Sequence, residues 1–487
     1  MITTHPTSAW TRVLDTEPVT SLEQWTARGG GGGLTAALRL GSAATVDELE
    51  ASGLRGRGGA GFPTAAKWRT VLAFEPEIRP PSVVVNAAEG EPGSFKDRAI
   101  LRNNPYRVLE GAMIAARTIG ARRLVIATKA RFTRVVARLR DAIAEVDAAG
   151  WTDGVTIDLV EGPSEYLFGE ETALLEVVDG RYPFPRVSPP WRRGIDPDEM
   201  GPTRSAAGAV LAARDHSSDA PPTLVNNVET LANVAAIMRR GAGWFRELGT
   251  DASPGTIVCT VTGATERAGV SEIPLGTTLR AAIETIAGGP VAGSEIGVVL
   301  NGVSNAVITP DLLDTPLTYE DMAAAGTGLG SAGFIVFDRD ADPVAIAHGA
   351  SRFLAVESCG QCTPCKRDGL ALVAEFERYL DGSANPLDRL AIDARLRTVA
   401  YGARCNLARQ QEAVTASLLR AFPAAFRAAD RAPGLDHRRV LVAPLVDIVD
   451  GIAVIDEREA AKQPDWTYDA VDSGKWPADR LEHEPGG

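Results

Sequence analysis

The amino-acid sequence predicts an α/β protein of several domains: a first domain with a largely parallel sheet, then a small α+β domain, then a helical domain. Three successive stretches of different pattern along the 487 residues indicate this order. Strand-like and helical runs alternate to about residue 250, short β-branched runs follow to residue 338, and a stretch rich in Ala, Leu and Arg begins at Pro343. A chain of this length exceeds one ordinary core, so several domains are expected.

The first predicted domain, residues 34–250, is indicated by buried strands that alternate with amphipathic helices. The strands are Val83–Val85, Leu124–Ala127 and Val155–Val160, and the helices are Leu109–Ile119 and Val135–Ala149. Such alternation is typical of a parallel sheet covered by helices. Residues 1–33 are a predicted N-terminal arm, and the five consecutive glycines at 29–33 predict a flexible hinge at its end.

The later elements predict two further domains and an extension. In residues 251–338, three β-branched runs surround one helix: Ile257–Val261, Ile296–Leu300 and Phe334–Phe337 around Leu279–Ala287. After the polar turn 338–342, residues 343–430 have the helical period of a small bundle. The C-terminal extension, residues 431–487, contains one strand-like run, Val440–Ile448, and a charged tail for which we predict no regular structure.

Composition argues against several classes of function. A net charge of −13 disfavours nucleic-acid and anionic-membrane partners, which require a basic surface. No apolar run reaches the ~18–20 residues that span a bilayer, and the first thirty residues lack the pattern of a signal peptide. We therefore expect a cytoplasmic protein that does not insert into a membrane. A position at the periphery of a membrane complex agrees with this expectation.

Four of the five cysteines form a pattern typical of an iron–sulfur site. Three thiolates spaced C-x2-C-x2-C can bind three corners of a [4Fe–4S] cluster, and a fourth from a distant helix completes the ligand set. The predicted ligands are Cys359, Cys362, Cys365 and Cys405. A structural Zn²⁺ is the alternative, although zinc sites usually combine two separate CxxC pairs. Lys366 and Arg367 are expected to offset the negative charge of the cluster, and Cys259 is a predicted core residue.

A glycine loop and two acidic loops in the first domain predict a ligand site. The loop Gly53–Trp68 leads into a helix, so its backbone N–H groups and Lys67 can hold an anion, although its spacing is not that of the usual dinucleotide fingerprint. The segment Asn86–Arg98 follows a predicted strand, at the end where α/β sheets bind ligands. The segment Tyr166–Thr172 carries adjacent carboxylates, which can bind ribose hydroxyls and repel a 2′-phosphate. Solvated surface acids are the alternative interpretation.

A fourth segment, Val225–Thr230, has two interpretations. Its Asn and Thr side chains suit the start of a helix, where they cap backbone N–H groups. The same side chains can donate hydrogen bonds to a phosphate, and the two roles are compatible.

Taken together, these segments resemble the NADH-oxidising flavoprotein subunit of respiratory complex I and the related diaphorase subunits of NAD-linked hydrogenases and formate dehydrogenases. Five motifs occur in the order of that family between Leu54 and Ala425: GRGGAGFPT at 56–64, EPGSFKDR at 91–98, GEETA at 169–173, NNVETLA at 226–232 and ESCGQCTPC at 357–365. The resemblance implies a Rossmann-like domain for FMN and NADH, a ubiquitin-like β-grasp (SLBB-like) domain and a helical-bundle [4Fe–4S] domain.

The resemblance also implies an activity, an NADH dehydrogenase (diaphorase) type oxidoreductase. Hydride transfer from NADH to FMN would be followed by one-electron transfer through the cluster to an iron–sulfur partner or a quinone-linked chain. The implied partner is a ferredoxin-like or thioredoxin-fold [2Fe–2S] protein.

Roles of individual residues follow from the resemblance alone. Three carboxylates are implied where NADH meets the flavin: Glu91, Glu170 and Glu171. The loop that would hold FMN contains Gly56, Arg57, Gly58, Gly59, Gly61 and Lys67, and Asn226, Asn227 and Thr230 would bind its phosphate end. Further implied cofactor-binding residues are Asn86, Glu89, Gly169 and Val225. Phe62 would stack on the adenine, with Trp191 opposite it.

Several departures from the family pattern indicate a stand-alone or accessory paralogue. Ala88 stands where the family has an aspartate that contacts the flavin, and Thr70 where it has an aromatic residue. The segments Asn301–Asn305 and Asn406–Arg409 also differ. Ala88 keeps a second function open, a flavin-free electron-transfer or assembly subunit, whereas the retained lysine, glutamates and asparagines favour the enzyme.

Overall fold

The fold is that of a computed structural model, which describes residues 10–74, 80–195, 220–427, 438–468 and 470–481. Within these ranges no helix is both long and apolar enough to cross a membrane. Three regions follow one another along the chain, an N-terminal region, a middle region and a helical region, and a C-terminal extension packs back onto all three.

The N-terminal region is built on a four-stranded parallel sheet with the strand order β3-β2-β1-β4. The strands are β1 (Ser82–Ala87), β2 (Arg123–Lys129), β3 (Thr156–Gly162) and β4 (Thr223–Asn227). Successive side chains of a strand point to opposite faces. Val83 and Val85 therefore belong to the larger core on one face, and Val84 packs with Phe168 and Leu174 on the other. The three predicted strands are confirmed.

Helices cover both faces of this sheet, as the crossover connections between parallel strands require. They are α1 (Leu22–Ala27), α2 (Gly32–Ser52), α3 (Thr64–Leu72), α4 (Lys96–Asn103), α5 (Pro105–Ile119), α6 (Thr133–Ala148), α7 (Glu171–Val178), α8 (Val228–Arg240) and α9 (Ala242–Arg246). Helices α5 and α6 confirm the two helices predicted from periodicity. A short 3₁₀ turn, Tyr166–Gly169, precedes α7.

The five glycines at 29–33 do not form a flexible hinge, so that prediction is wrong. The buried carboxylate of Glu110 accepts hydrogen bonds from the backbone N–H groups of residues 31, 33 and 34, at 2.8–3.2 Å, and from Trp25 Nε1 at 3.0 Å. Glycine is needed for this close approach, because a Cβ at Gly33 would lie 2.4 Å from the carbonyl oxygen of Ala235. The run therefore anchors the N-terminal arm at the start of α2.

The middle region is a four-stranded mixed sheet with the order β6-β5-β8-β7. Its elements are β5 (Thr256–Gly263), β6 (Gly269–Pro274), α10 (Leu279–Ala287), β7 (Ile296–Asn301), α11 (Tyr319–Ala324) and β8 (Gly333–Asp338). The central pair β5–β8 is parallel and the outer pairs are antiparallel. The predicted strands and helix are confirmed. Strand β6 and the short helix α11 were not predicted, because their hydrophobic runs are short.

The helical region contains the four helices α12 (Pro343–Glu357), α13 (Thr363–Leu380), α14 (Pro386–Thr398) and α15 (Leu407–Ala421). Asp342 and Asn385 cap the N-termini of α12 and α14 with their side-chain oxygens, and each of these two helices begins at a proline. The helical period of the sequence therefore predicted this region correctly.

The described part of the C-terminal extension, residues 438–468 and 470–481, is folded, although the sequence predicts no regular structure for its charged tail. It forms the hairpin β9 (Leu445–Val449) and β10 (Ile452–Ile455), and the short helix α16 (Pro477–Leu481). Arg98 of the N-terminal region donates to the carbonyl oxygen of Leu445 at 2.6 Å. Trp466 is buried and donates through Nε1 to the carbonyl oxygen of Val356 at 2.9 Å. The tail is thus held by long-range contacts that its own sequence does not reveal.

Candidate functional site

A cleft opens where the strand order of the parallel sheet reverses, between β1 and β4. Ligands of open α/β sheets bind at the carboxyl ends of the strands at such a point. The cleft has a volume of about 850 Å³ including the space at its open mouth. Its walls come from all three regions, and the residues are Gly58, Asn86, Ala88, Glu89, Gly90, Glu91, Ser94, Lys96, Asp97, Tyr166, Leu167, Gly169, Glu170, Asn227, Ser304, Ser331, Cys405, Asn406, Leu407 and Gln410.

Asn86 shapes the first wall, where the chain leaves β1. Its Nδ2 donates to the carbonyl oxygen of Gly169 at 2.8 Å, and its Oδ1 accepts from the backbone N–H of Ala88 at 3.2 Å. Asn86 therefore joins the loop after β1 to the turn before α7. Ala88 is fully buried and packs with Phe168 and Val225, so its methyl group adds no polar group to the wall.

A buried ion-pair network forms the base of the cleft. The Lys96 ammonium lies 2.7 Å from Asp97 Oδ1, 3.0 Å from Asn227 Oδ1 and 3.1 Å from Glu229 Oε2. Asn227 Nδ2 donates to Asp97 Oδ2 at 2.7 Å, and its Oδ1 also caps α8 by accepting from the Glu229 N–H. Burial raises the pKa of Asp97 to about 6, despite the nearby ammonium. The capping role anticipated for this segment is confirmed for Asn227.

Glu89 holds the start of α4 in place. One carboxylate oxygen accepts from Ser94 Oγ at 2.7 Å, and the other accepts from Arg98 Nε at 2.8 Å. Burial alone would raise the pKa of Glu89, but Arg98 and the hydrogen bonds lower it below its ordinary value. Glu89 is therefore an ionised, fully engaged wall residue.

Glu91 ties the N-terminal region to the middle region. Its Oε1 accepts from the backbone N–H of Val303 at 2.7 Å and from Ser304 Oγ at 2.6 Å, and its Oε2 accepts from the Tyr166 hydroxyl. Gln410 of α15 donates to both Tyr166 and Ser304, at 3.1 Å each. Burial raises the pKa of Glu91 above its ordinary value. One hydrogen-bonded network thus spans three regions on a single wall of the cleft.

The neighbouring carboxylates Glu170 and Glu171 have different partners. Glu170 caps α7 through Oε2, which accepts from the N–H groups of Thr172 and Ala173 at 3.0 and 2.8 Å, and burial raises its pKa. Glu171 forms an ion pair with Lys67 of α3. This pair connects the glycine loop to the acidic loop, and both side chains are partly exposed.

The glycine loop lies between the cleft and the middle region. Gly58 lines the cleft, and a Cβ there would lie 3.3 Å from Asn227 Cβ. Gly61 has φ +63°, and a Cβ there would lie 2.4 Å from the ring of Tyr319. Arg57 is buried, and its guanidinium donates to the Thr256 carbonyl oxygen at 3.0 Å, in the middle region. Its side chain therefore fixes the loop to its neighbour.

The four cysteines of the motif lie together at the side of the cleft. Cys405 lines the cleft itself. Burial, with a smaller contribution from the neighbouring cysteine thiolates, raises the pKa of Cys359 to about 11 and that of Cys365 to about 12. Burial also raises the pKa of Cys405, with a contribution from Cys359 and Cys365. The two distant parts of the motif are thus brought to one place.

Lys366 does more than offset the charge of a cluster. Its buried ammonium donates to the carbonyl oxygens of Ala355, Val356 and Ser358 at 2.9, 3.1 and 2.9 Å. Burial lowers its pKa to about 7. Lys366 therefore satisfies the carbonyl groups at the end of α12 and holds the cysteine loop against that helix.

The donor set fits a [4Fe–4S] cluster, whose four irons each take one thiolate. The cleft fits a flavin nucleotide in volume and lining. Gly58 and Gly169 line it without a side chain, so the backbone there is open to a flat ligand.

Comparison with known proteins indicates the same two cofactors, a flavin nucleotide and an iron–sulfur cluster. The family model "Nuo51 FMN-binding domain" matches residues 49–236, and "NADH-ubiquinone oxidoreductase-F iron-sulfur binding region" matches residues 345–429. The F 2 subunit of the NADH-quinone oxidoreductase of Rhizobium meliloti is 36% identical over 378 residues, 74% of this chain and 84% of that protein. The F subunit of the Streptomyces coelicolor enzyme is 35% identical over 370 residues, 74% of this chain and 77% of that protein. This chain belongs to the family of NADH-quinone oxidoreductase F subunits.

A solved structure extends the likeness of this F-type chain to the fold. The crystal structure of an NAD⁺-reducing [NiFe]-hydrogenase in the H₂-reduced state matches with a TM-score of 0.71 and 30% identity, over 88% of this chain and 67% of that chain. The mixed α/β architecture with a Rossmann-like parallel sheet is therefore confirmed. Family membership also confirms the resemblance. It confirms the expected class of enzyme, which is an NADH dehydrogenase type oxidoreductase, and the expected cofactors, which are FMN, NADH and a [4Fe–4S] cluster.

The structure brings together some of the predicted site residues of this F-type chain and separates others. Among the described residues, those that line the cleft are Gly58, Asn86, Glu89, Glu91, Gly169, Glu170, Asn227 and Cys405. Outside its lining lie Gly56, Arg57, Gly59, Gly61, Phe62, Lys67, Glu171, Trp191, Val225, Asn226 and Thr230. Asn226 accepts a hydrogen bond from Trp68 Nε1 at 2.9 Å, and Thr230 accepts one from the Arg57 N–H at 2.9 Å.

Sequence reasoning missed part of the wall. Ser304, Ser331 and Gln410 come from the middle and helical regions, and no local pattern marks them. Lys96 and Asp97 were visible in the EPGSFKDR motif but were not assigned to the site. Their burial could not be anticipated, because adjacent charged residues are usually exposed.

Proposed function

We propose that this chain oxidises NADH at the cleft between β1 and β4. The electrons then leave through a cluster that is bound by the four cysteines beside this cleft. The observation that carries the proposal is the position of Cys405. It lines the same cleft as Asn86, Glu170 and Gly58, so one cavity joins the predicted nucleotide-binding residues to a predicted cluster ligand.

Bound FMN would supply the conversion between a two-electron hydride donor and a one-electron carrier. The residues of the chain supply binding and orientation. Gly58 and Gly169 line the cleft and place no side chain between the backbone and a planar ligand. Asn86 keeps the two backbone walls at a constant separation through its bonds to Gly169 and Ala88. Ala88 lacks the hydrogen-bond acceptor that the aspartate of the family pattern would offer to the flavin. We therefore expect FMN to bind but to dissociate on dilution.

The carboxylates of the cleft select the nucleotide in this proposal. Glu170 uses Oε2 to cap α7, which leaves Oε1 for a ribose hydroxyl. Glu171, just outside the lining of the cleft, is paired with Lys67, so this ammonium is not available to a 2′-phosphate. The wall residues Glu89 and Glu91 are acidic as well. A like-charge clash should therefore disfavour NADPH.

The domain assignments follow the same proposal. The N-terminal region with β1–β4 would be the Rossmann-like FMN/NADH domain, the middle region a ubiquitin-like β-grasp domain, and the helical region the [4Fe–4S] domain. The parallel central pair of the middle sheet, with α10 packed on it, supports the second assignment. A [2Fe–2S] protein is the proposed partner, and the periphery of a membrane complex is a proposed location, since the relatives are named as subunits.

The experiment is anaerobic purification with FMN, followed by absorption spectra before and after NADH. We expect about four iron and four sulfide per chain and bleaching of the flavin by NADH. Cys405→Ala should lose the cluster, whereas the matched control Cys259→Ala, in the core of the middle region, should retain it. One zinc and no sulfide would refute the cluster assignment.

The alternative is a flavin-free electron-transfer or assembly subunit, which Ala88 favours. Failure to bind FMN at high micromolar concentration, with the cluster intact, would select it. We favour the enzyme, because the polar groups of the cleft are retained in a buried and hydrogen-bonded arrangement.

A further inference from the structure

Gln410 of α15 connects the helical region to the wall of the cleft. Its side chain is half-buried and lines the cleft. Its amide nitrogen Nε2 lies 3.1 Å from the hydroxyl oxygen of Tyr166 and 3.1 Å from Oγ of Ser304. A primary amide carries two N–H donors, so Gln410 can donate one hydrogen bond to each of these hydroxyl groups. One side chain therefore joins the helical region to the N-terminal region and the middle region.

Both hydroxyl groups have a second neighbour, the carboxylate of Glu91. Ser304 Oγ lies 2.6 Å from Oε1, and the Tyr166 hydroxyl lies 2.5 Å from Oε2. The Tyr166 hydroxyl also lies 3.3 Å from Gln410 Oε1, but the carboxylate is closer and charged, so it is the stronger acceptor. Burial and the nearby Glu91 raise the pKa of Tyr166 well above its ordinary value, so this hydroxyl keeps its proton. Gln410 thus occupies the hydroxyl oxygens and leaves both protons directed at Glu91.

Glu91 depends on such donors, because no cation compensates its charge. Its third donor is the backbone N–H of Val303, at 2.7 Å from Oε1. The turn before Val303 fits closely around the carboxylate, since a Cβ at Gly302 would lie 2.1 Å from Oε1. Burial raises the pKa of Glu91, and only the three hydrogen bonds from described residues oppose that rise. The direction of the two hydroxyl protons therefore decides how readily Glu91 ionises.

The other ionisable groups around this wall have partners of their own. Those that line or flank the cleft near Glu91 are Glu89, Asp97, Lys129 and Glu170. Glu89 and Asp97 pair with cations, Glu170 caps α7, and the ammonium of Lys129 donates to the carbonyl oxygen of Ser164 at 2.8 Å. On α15, the charged neighbours Arg409 and Glu412 are exposed. A substitution of Gln410 leaves all these contacts in place, so its effect on ionisation reports on Glu91.

We propose that Gln410 is a positioning residue, which directs the hydroxyl protons of Tyr166 and Ser304 to Glu91 and so keeps this carboxylate of the cleft ionised. The inference deepens the proposed function, because it takes the cleft as the site of NADH oxidation. A side chain at position 410 without a donor lets the hydroxyl groups turn away, which favours the protonated carboxyl group. A cationic donor at the same position favours the carboxylate.

The test compares Gln410→Leu, Gln410→Lys and Glu91→Gln with the unaltered chain between about pH 4.5 and 8.5. The first measurement is the rate at which NADH bleaches bound FMN. The second is the free energy of unfolding in urea without any cofactor. Since the pKa of Glu91 is raised above 4.5, this free energy falls as the pH rises from 4.5 to the pKa of the folded state. The control is Gln411→Leu on the same helix, because Gln411 donates to Ser351 Oγ at 2.8 Å inside the bundle.

We expect the inflection of both pH profiles to move up by about 0.5–1 pH unit in Gln410→Leu and down in Gln410→Lys. Glu91→Gln should lack this inflection, and Gln411→Leu should keep it in place even where the protein is less stable. Opposite shifts are the signature of proton direction, because loss of packing would move both Gln410 variants the same way. Shifts in the same direction, no shift in Gln410→Leu, or an inflection that persists in Glu91→Gln would overturn the proposal. An unaltered chain that NADH does not bleach would refute the proposed function, while the unfolding profiles would still decide the role of Gln410.

Discussion

Lys462 of the C-terminal extension and Glu357 at the end of α12 form an ion pair that is almost completely removed from solvent. The exposed fractions of the two side chains are 0% and 1%. Glu357 also accepts from the backbone N–H of Tyr166 at 2.8 Å, so it joins the extension, the helical region and the wall of the cleft. We predict that Lys462→Met destabilises the protein strongly, because it leaves a buried carboxylate without its counter-charge.

The magnitude follows from the burial. Removing one partner of a buried pair typically costs about 3–5 kcal/mol. We expect the lower end, about 3 kcal/mol, because the hydrogen bond from Tyr166 remains to satisfy Glu357. Glu357 lies two residues before Cys359, so iron content should also fall. The exposed pair Arg280–Asp314 provides the control, since its side chains are 44% and 70% exposed at 2.8 Å. Arg280→Met should cost about 0–1 kcal/mol.

The assay is urea unfolding followed by circular dichroism, applied to Lys462→Met, Glu357→Gln and the double variant. The double variant should be less destabilised than the sum of the two single variants, because it removes both charges together. A cost for Lys462→Met no greater than that for Arg280→Met would show that the extension does not depend on this pair. Strict additivity of the two single variants would refute the coupling.

The remaining predictions concern the cleft, the N-terminal arm and pH. Ala88→Asp returns an acceptor worth about 0.5–1.5 kcal/mol to the cleft wall, so the flavin retained after gel filtration should increase. Glu171→Ala frees Lys67 for a 2′-phosphate, so the ratio of kcat/KM for NADPH to that for NADH should rise; an unchanged ratio would contradict the pairing. Glu110→Ala leaves buried donors unpaired at about 1–3 kcal/mol each, which should release the arm to limited proteolysis. Burial raises the pKa of Glu459 to about 7 from an ordinary 4.5. In the unfolded chain Glu459 therefore loses its proton at a lower pH than in the folded protein. The free energy of unfolding should fall as the pH rises from 4.5 to about 7, and in Glu459→Gln, measured by urea unfolding, that fall should be smaller.

The elements that sequence patterns predicted well share one property, a strong local period. Helix α10 has the bounds that its hydrophobic pattern predicted, and β1, β2 and β3 each contain or overlap the buried run assigned to them. The five motifs also identified the family correctly, because the residues of each motif are close together in sequence. The order of the motifs can be read along the chain without knowing how the chain packs.

The errors share a different property, since a distant residue decides each of them. Five glycines in a row are flexible by themselves, but the carboxylate of Glu110, about 80 residues away, binds their N–H groups. The charged tail has a composition typical of disorder. Trp466 is nevertheless buried against the end of α12, and the backbone N–H of Ala478 donates to the Cys359 carbonyl oxygen at 2.9 Å.

The sequence by itself therefore determined the class of the protein and its cofactors, and it predicts the cysteine ligands, since each depends on residue types at short, characteristic spacings. The tertiary structure decided how these parts meet. It placed Cys405 in the wall of the cleft, and it joined Tyr166 to Gln410 across 244 residues of sequence. It also turned the guanidinium of Arg57 toward the middle region. The physical reason is that hydrophobic burial and hydrogen-bond satisfaction are settled by the whole packed chain, whereas a motif records only its own neighbourhood.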